Sequence, residues 1–498
     1  MTAKTQHYDT VIIGLGPVGA TLANILGQYN ISTLILDQET SAYHLPRAVA
    51  FDDEVMRIFQ SIGLAEQMAE IAEIGGNAHF VDGKDKIILS WIRPQKLSEN
   101  NHYVSYRFHQ PDLEEVLRNG LKRFPSVTKQ WSSQVIALSQ SKNDATLEYT
   151  DIISNKNYTI NTSYIIGCDG ARSLTRNYIN SNVEDFGFRE PWLVVDLVLK
   201  VPSNDSSRES FHYCGLDRSA SSAFVGFRRK RWEFRLKSDD LLEEITKPKN
   251  VWKLLERWIG PNEASIERAT VYTFESIIAR QWHTGRILIA GDAAHQTPPF
   301  MGQGMCAGIR DVANLGWKLE RIIKRNISRD LLRTYQTERY PHVKEFIELT
   351  IQMGGIINKT KTAIVAGNVT NPEDGPQSLG QLKPKLGPGP SSGNIEFRGH
   401  LFPQPRLEGG ELLDDLIGSR SALILLADFQ AQLSEQITKA MMETDIAVIV
   451  DGSAKLQDWF NNNKTSAALI RPDRYIAGTA TSETELNELI HMHKAGIC

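Results

Sequence analysis

The chain has 498 residues, 41% of them hydrophobic and 23% charged, with a formal net charge of −4. That length allows several domains, at roughly 100–200 residues each, and a core large enough to need no disulfide staples. The charges are well mixed, which leaves no basic footprint for nucleic acid and no polybasic patch for a membrane surface.

Cys168, Cys214, Cys306 and Cys498 are far apart and form no CxxC. They predict reduced thiols rather than a metal site or a disulfide framework. The polar stretch Met1 to Asp9 lacks the apolar core of a signal peptide. No apolar run approaches the ~18 residues of a membrane span. A cytoplasmic location is expected, with substrate arriving from the cytosol.

In chain order, Tyr8 to Ile13 reads as a strand, Gly14 to Gly19 as a turn, Val18 to Tyr29 as a helix and Ile31 to Leu36 as a second strand. This is a βαβ unit with parallel strands. Leu64 to Ile74 and Asp112 to Arg123 read as helices, Lys86 to Trp91 as a strand, and 132–166 as further strands. In Trp192 to Val201 one face is wholly apolar, and the other carries Asp196 and Lys200. In Arg231 to Leu236 the residues Trp232, Phe234 and Leu236 alternate with charges. Such alternation predicts half-buried antiparallel strands, with the basic cluster Arg228 to Arg231 at a hairpin turn. Arg286 to Ala290 is a buried strand, and Gly304 to Lys324 is a long helix. The stretch 365–405 is rich in Pro, Gly and Asn and reads as a linker. Ala422 to Ala427 and Ile446 to Asp451 then open a small α/β domain.

Three motifs carry chemistry. The first is Gly14-Leu15-Gly16-Pro17-Val18-Gly19, between a strand and a helix. Gly14 permits the tight turn, Gly16 lets backbone approach a pyrophosphate, and Gly19 lets helix and strand pack. The helix start offers free N–H groups to phosphate, and Asp37 ends the second strand where an acid can bind ribose. NAD remains open from this motif alone. The second motif is Gly167-Cys168-Asp169-Gly170-Ala171-Arg172-Ser173, which could equally be a simple Asp-Gly turn. The third runs from Arg286 through Gly291-Asp292 and His295 to Pro298-Pro299-Phe300-Met301-Gly302-Gln303-Gly304-Met305.

All three in this order resemble the FAD-dependent aromatic hydroxylases, single-component flavoprotein monooxygenases, and within them the 3-(3-hydroxyphenyl)propionate hydroxylases. The resemblance covers nearly the whole chain. It implies that Asp292 binds the FAD ribityl chain, that Pro298 through Met305 lie beside the isoalloxazine ring, and that Asp169 helps hold the pyrophosphate and is linked to the nicotinamide cofactor. Pro46-Arg47-Ala48 and Tyr106 through Glu114 resemble segments whose Arg and Gln contact the cofactor, here Arg47 and Gln110. Asp37 departs from the family's usual Glu, and an Asp still reaches a ribose.

The implied fold is α/β, α+β overall. A Rossmann-like FAD-binding domain (1–75, 105–185 and 270–365) is joined by a substrate-binding antiparallel-sheet domain (76–104 and 186–269). A linker (366–399) leads to a C-terminal thioredoxin-like domain (400–498). No cysteine lies between Cys306 and Cys498, so that last domain cannot run dithiol chemistry. Its implied role is structural, with homodimer contacts as one form.

The implied reaction hydroxylates a phenolic or related aromatic substrate with NADH or NADPH and O2, through a flavin C4a-hydroperoxide. NAD(P)H docks transiently, since no second GxGxxG follows a strand. A phenol of pKa near ~10 needs a base or relay, and water must be excluded. His212 and Tyr213 in the substrate sheet are the candidates for that proton chemistry, each weighed against a packing role. His295 is weighed between a flavin contact and a structural role at the helix start. Epoxidation or dehydrogenation on the same scaffold, or a non-catalytic binding protein, are the alternatives.

Overall fold

The computed structural model describes residues 7–41, 47–201, 208–214, 217–358, 377–379 and 383–497. Pro46, Cys498, the first six residues and much of the predicted linker lie outside these described residues.

The βαβ unit forms as its pattern predicts, with the strand His7–Ile13, the helix Pro17–Gln28 and the strand Thr33–Leu36. Strand Val127–Gln130 extends the sheet beyond Thr33–Leu36, and Lys156–Gly167 and Ile287–Ile289 extend it on the other side, all in parallel. Val11, Ile12, Ile35, Ile165, Ile166 and Leu288 are fully buried in this sheet. Such strands, covered on both faces, read as continuous apolar runs. The helices Pro17–Gln28 and Gln303–Arg325 pack together on the sheet. Gly308 makes this possible, because a Cβ there would lie 2.6 Å from Val18 Cγ2 and 2.9 Å from Gly291 Cα.

Among the described residues the second sheet has nine strands, centred on the long pair Val183–Leu199 and Ala264–Ala279. Strands Arg229–Arg235, Ala220–Phe224 and Ser210–Tyr213 follow in antiparallel order. One face carries Leu193, Val195, Leu197, Tyr213, Trp232 and Phe234 and packs on the helix Pro248–Leu255. The charged face of this sheet is buried as well. Asp196 and Arg231 are 1% and 4% exposed, because that face packs against the first domain's loops. Only Arg228 of the basic cluster lies outside the strands at the hairpin turn. Period-two alternation reports two different faces, but not what covers the polar one.

Two further differences concern helices. Leu64 to Ile74 divides into the helix Ala65–Ile71 and the strand Ala72–Ile74, which pairs with Tyr106–Phe108. The 26-residue helix Arg333–Asn358 has no counterpart in the sequence reading. Pro341 inside it masks a continuous helical signal.

The C-terminal sheet runs Ala447–Val450, Ala422–Leu425, Ala467–Ile470, Ile476–Ala480, with the first pair parallel and the others antiparallel. Its alternate residues fill two cores, Leu423 and Leu425 on one face, Ala422 and Ile424 on the other. Buried ion pairs fasten this unit to the first. Asp414 meets Arg57 at 2.7 Å, and Glu338 meets Arg471 at 2.6 Å. No described helix is long and apolar enough to cross a membrane.

Candidate active site

A cavity of about 310 Å³ opens between the first sheet's loops and the second sheet. Its first wall is the glycine turn. Gly14 has φ +102°, and a Cβ on it would lie 2.4 Å from the Cys168 carbonyl oxygen. Gly19 must be bare because its Cβ would come within 2.0 Å of the Gly14 oxygen. Gly16 differs: its φ is −72° and a Cβ would meet nothing within 4 Å. The space beside Gly16 belongs to the cavity, which Gly16, Pro17 and Val18 line. The helix Pro17–Gln28 starts there with no side-chain cap, so its first N–H groups remain available.

Asp37 accepts from the Leu15 amide at 2.7 Å and from the Glu39 amide at 2.9 Å, tying the turn to the second strand. Asp169 is engaged similarly. It accepts from the Ser173 hydroxyl at 2.5 Å and from the Thr175 amide and hydroxyl at 3.0 and 2.9 Å. Its carboxylate shapes the loop, while its neighbours Cys168 and Gly170 line the cavity.

The third motif supplies the opposite end. Gly291 donates its amide to Asp311, which also binds His295 at 2.6 Å and Arg339 at 2.9 Å. His295 therefore acts through Asp311 to hold the turn. Asp292 next to it lines the cavity, and its carboxylate accepts no hydrogen bond among the described residues. Its accessible surface opens into the cavity while protein encloses it. That enclosure raises its pKa, opposed by the charges of Arg47, His295 and Arg176. Pro299, Gly302, Gly304 and Met305 line the same space, and the helix Gln303–Arg325 begins there uncapped. Pro298 precedes this wall and leads into the 3₁₀ turn Pro299–Met301. The Gln303 side chain points elsewhere, to Asp52 at 3.2 Å and Arg310 at 3.1 Å.

Gln110 is 3% exposed, and its Oε1 accepts from the Arg47 and Ala48 amides at 2.8 and 2.6 Å. It holds the segment that carries Arg47 across the cavity.

The second sheet closes the cavity with Arg231, Glu233 and Phe274. Arg231 pairs with Asp196 at 2.7 Å and donates to the Arg47 carbonyl. Arg268 shares Asp196 at 2.6 Å. Glu233 accepts from Ser221 at 3.2 Å, and burial raises its pKa against the lowering charge of Arg231. The sequence reading gave this sheet to the substrate but singled out none of the three cavity residues Arg231, Glu233 and Phe274, because alternation along a strand does not say what covers its polar face. The charged positions inside RWEF were the available signal.

His212 and Tyr213 part company. His212 shares the cross-strand row of Ser221 and Glu233, lies 4.7 Å from the Phe80 ring, and keeps a buried, unpartnered Nδ1. Burial pushes its pKa down to about 3, helped by the charges of Arg93 and Arg107, so it is neutral near pH 7. Tyr213 points to the opposite face, stacked 5.8 Å from Trp232 in the far core, and the structure does not bring it to the cavity.

The residues present fit a flavin dinucleotide. Two uncapped helix starts and the open space at Gly16 suit phosphate. Thr297 Oγ1 lines the cavity, buried and without a partner, and buried polar groups normally have one.

Fold and cavity thus define a dinucleotide-binding enzyme scaffold. Residues 7–350 match the FAD binding domain family, and residues 429–495 match the HcaD C-terminal domain family. The chain is 33% identical to the probable NADH-specific resorcinol 4-hydroxylase of Rhodococcus jostii (strain RHA1), over 97% of this chain and 94% of that protein. It is 30% identical to the 3-(3-hydroxy-phenyl)propionate/3-hydroxycinnamic acid hydroxylase of Mycolicibacterium gilvum (strain PYR-GCK), over 97% and 90%. Two crystal structures share the fold. The flavin-dependent monooxygenase PieE, in complex with FAD and substrate, has a TM-score of 0.80 at 18% identity over 99% of both chains. Aklavinone-11 hydroxylase with FAD and aklavinone has a TM-score of 0.81 at 16% identity, over 98% of this chain and 99% of that one. The chain belongs to the FAD-dependent aromatic hydroxylase family.

Proposed function

We propose that the protein hydroxylates a phenolic ring, using FAD, O2 and NADH or NADPH. The observation that carries this reading is the cavity itself. Its dinucleotide-type wall faces a buried polar sheet surface bearing Arg231, Glu233 and Phe274. The domain division follows the two sheets and the C-terminal unit, whose strand order suits a thioredoxin-like fold. A cytoplasmic enzyme of aromatic catabolism is the corresponding setting.

FAD held here would supply the redox and oxygen-activating chemistry, with NADH or NADPH as the source of electrons. The chain's own residues do the rest. Gly14, Gly16, Pro17, Val18 and Gly19 with their helix start would hold the pyrophosphate, and Asp37, which fixes that turn, would serve the ribose. Asp292, on the turn of Gly291, would take the ribityl hydroxyls. Pro298, Pro299 and Gly302 through Met305 would bound the ring, and Arg47, on the segment that Gln110 holds, would contact the cofactor. Asp169 keeps the Cys168–Gly170 loop in place.

On the substrate side, Glu233 accepts the phenol proton. A carboxylate with a raised pKa is a better base for this than an ordinary one. His212, neutral and in the same row, orients the ring oxygen. Phe274, Trp192 and Phe300 form an aromatic wall, with Trp192 5.4 Å from Phe300, that keeps water out.

The test is NADH and NADPH oxidation by the purified yellow protein, with and without a panel of phenols, with product and H2O2 quantified. A phenol that accelerates oxidation and is converted to an oxygenated product supports the reading. Colourless protein that FAD cannot reconstitute removes it.

A further inference from the structure

A side chain of the C-terminal unit is linked to the candidate active site. Tyr475 is buried in the turn between the strands Ala467–Ile470 and Ile476–Ala480. That turn is pinned from both sides. Arg471 pairs with Glu338 at 2.6 Å and with Asp473 at 2.5 Å, and Arg474 pairs with Asp414 at 3.0 Å. Tyr475 therefore presents its hydroxyl from a fixed position, and it donates to Glu54 Oε1 at 2.6 Å. Burial and the Glu54 charge push the Tyr475 pKa well above its usual value, so the hydroxyl keeps its proton.

Glu54 passes that contact to the wall of the flavin cavity. Its other oxygen accepts from Arg310 Nε at 2.6 Å. Arg310 lies on the helix Gln303–Arg325, with its guanidinium 5.5 Å from the Phe346 ring. Its Nη2 donates to Asp52 Oδ2 at 2.6 Å and its Nη1 to Gln303 Oε1 at 3.1 Å. Gln303 Nε2 donates in turn to the same Asp52 oxygen at 3.2 Å. Asp52 follows the strand Ala50–Phe51 and caps the next helix through the Val55 amide at 3.1 Å. Gln303 lies between Gly302 and Gly304. Ala50, Gly302 and Gly304 all line the cavity, so the cluster staples two of its walls together. Gly302 has φ +66°. A glycine leaves backbone loosely constrained, so this turn depends on side-chain contacts to hold it. Two carboxylates share the Arg310 guanidinium, and among the described residues Tyr475 supplies the remaining donor to the Glu54 carboxylate.

We propose that Tyr475 is a positioning residue for the flavin: from the C-terminal unit it sets the Gly302–Gly304 turn through Glu54, Arg310 and Gln303. Tyr475 itself does not line the cavity. The C-terminal unit thereby acts on the site as well as covering the first unit. Without the hydroxyl, a buried Glu54 oxygen loses its donor, and an unmet buried acceptor is costly. The carboxylate then turns toward Arg310 with both oxygens, Arg310 releases Gln303, and the turn shifts against the cofactor. This rests on the reading of the cavity as the flavin site and does not need the hydroxylation step.

Tyr475→Phe keeps the ring and removes only the hydroxyl. Tyr29→Phe is the matched control. The Tyr29 hydroxyl also crosses to the C-terminal unit, donating to the Ser419 carbonyl at 2.9 Å, but it has no link to the turn. Melting temperature, the FAD dissociation constant by fluorescence quenching, and the visible circular dichroism of bound FAD are measured on the full chain. Both variants should melt slightly below the parent. Tyr475→Phe should weaken FAD binding about 5- to 30-fold, the range of a coupled contact, and alter the dichroism. Tyr29→Phe should do neither. Glu54→Gln, which breaks the ion pair with Arg310, should weaken FAD binding to a similar degree. Combining it with Tyr475→Phe should add little, as for residues in one network. Parent-like FAD affinity and dichroism in Tyr475→Phe overturn the proposal. Equal effects of the two tyrosine variants also overturn it, because they report loosening of the whole interface. Additive effects of Glu54→Gln and Tyr475→Phe do the same. A parent protein that binds FAD and converts no phenol loses the hydroxylase reading, while the same three measurements still decide the role of Tyr475.

Discussion

Gly16 and Gly19 lie three residues apart in one motif, yet the structure assigns them opposite costs. At Gly19 an added methyl would press on a backbone oxygen 2.0 Å away. Backbone cannot yield as a side-chain end does, so Gly19→Ala costs about 1–3 kcal/mol of stability. At Gly16 the φ of −72° suits alanine and nothing lies within 4 Å. The unfolded chain loses entropy on Gly→Ala, worth ~0.4–1 kcal/mol in favour of folding. Alanine is a poorer N-cap than glycine by a similar amount, ~0.5–1 kcal/mol, so the two effects nearly cancel. The methyl of Gly16→Ala instead fills space the cofactor needs. Losing one charge-assisted hydrogen bond to the pyrophosphate, ~1.5–3 kcal/mol, weakens FAD binding about 10- to 150-fold. Thermal unfolding of the apoproteins and FAD titration by fluorescence quenching read the two effects separately. Gly16→Ala should melt with the parent and bind FAD poorly, whereas Gly19→Ala should melt early. A Gly16→Ala protein that binds FAD as tightly as the parent would refute the approach of this turn to the pyrophosphate.

Three other outcomes follow from the geometry. Glu233→Gln should lower kcat/KM for a phenol by about 10²–10³ and flatten its rise with pH, as loss of a general base does; an unchanged pH profile counts against that role. Asp311→Asn leaves the buried Arg339 charge without its partner and should cost about 3–5 kcal/mol, read as early melting with weakened FAD retention. The His102 imidazole, pushed down to about 4 by burial and by the Arg57 charge, binds its proton more readily in the unfolded chain. Its contribution is therefore present above the unfolded value of 6.5 and is lost as pH falls from there toward about 4, by roughly 3 kcal/mol at most. His102→Asn should shallow the acid limb of a melting-temperature profile over that window, and an unaltered limb would dismiss the effect.

The βαβ unit was legible because each local signal agreed: an apolar strand, glycines where turn and packing demand them, and an Ala- and Leu-rich helix. The Gly-Gln-Gly helix start was legible for the same reason. Residues whose roles depend on a distant partner were not. Asp196 reads only as a charge on the polar face of a strand, yet Arg231 and Arg268 enclose it. His212 and Tyr213 read alike, and only the strand's alternation, placed between two different neighbours, sends one to the cavity side and the other to the core. The helix Arg333–Asn358 escaped notice because Pro341 interrupts the local signal, although packing supports the helix across it.

The sequence by itself determined the dinucleotide turn, the order of the motifs and the class of chemistry, since these depend on residues close together along the chain. Tertiary structure alone decided the substrate side. It brought Glu233, about 60 residues before Asp292, to the same cavity. Burial set those groups' charges and costs, and burial is a property of what packs over a residue, which no local pattern encodes.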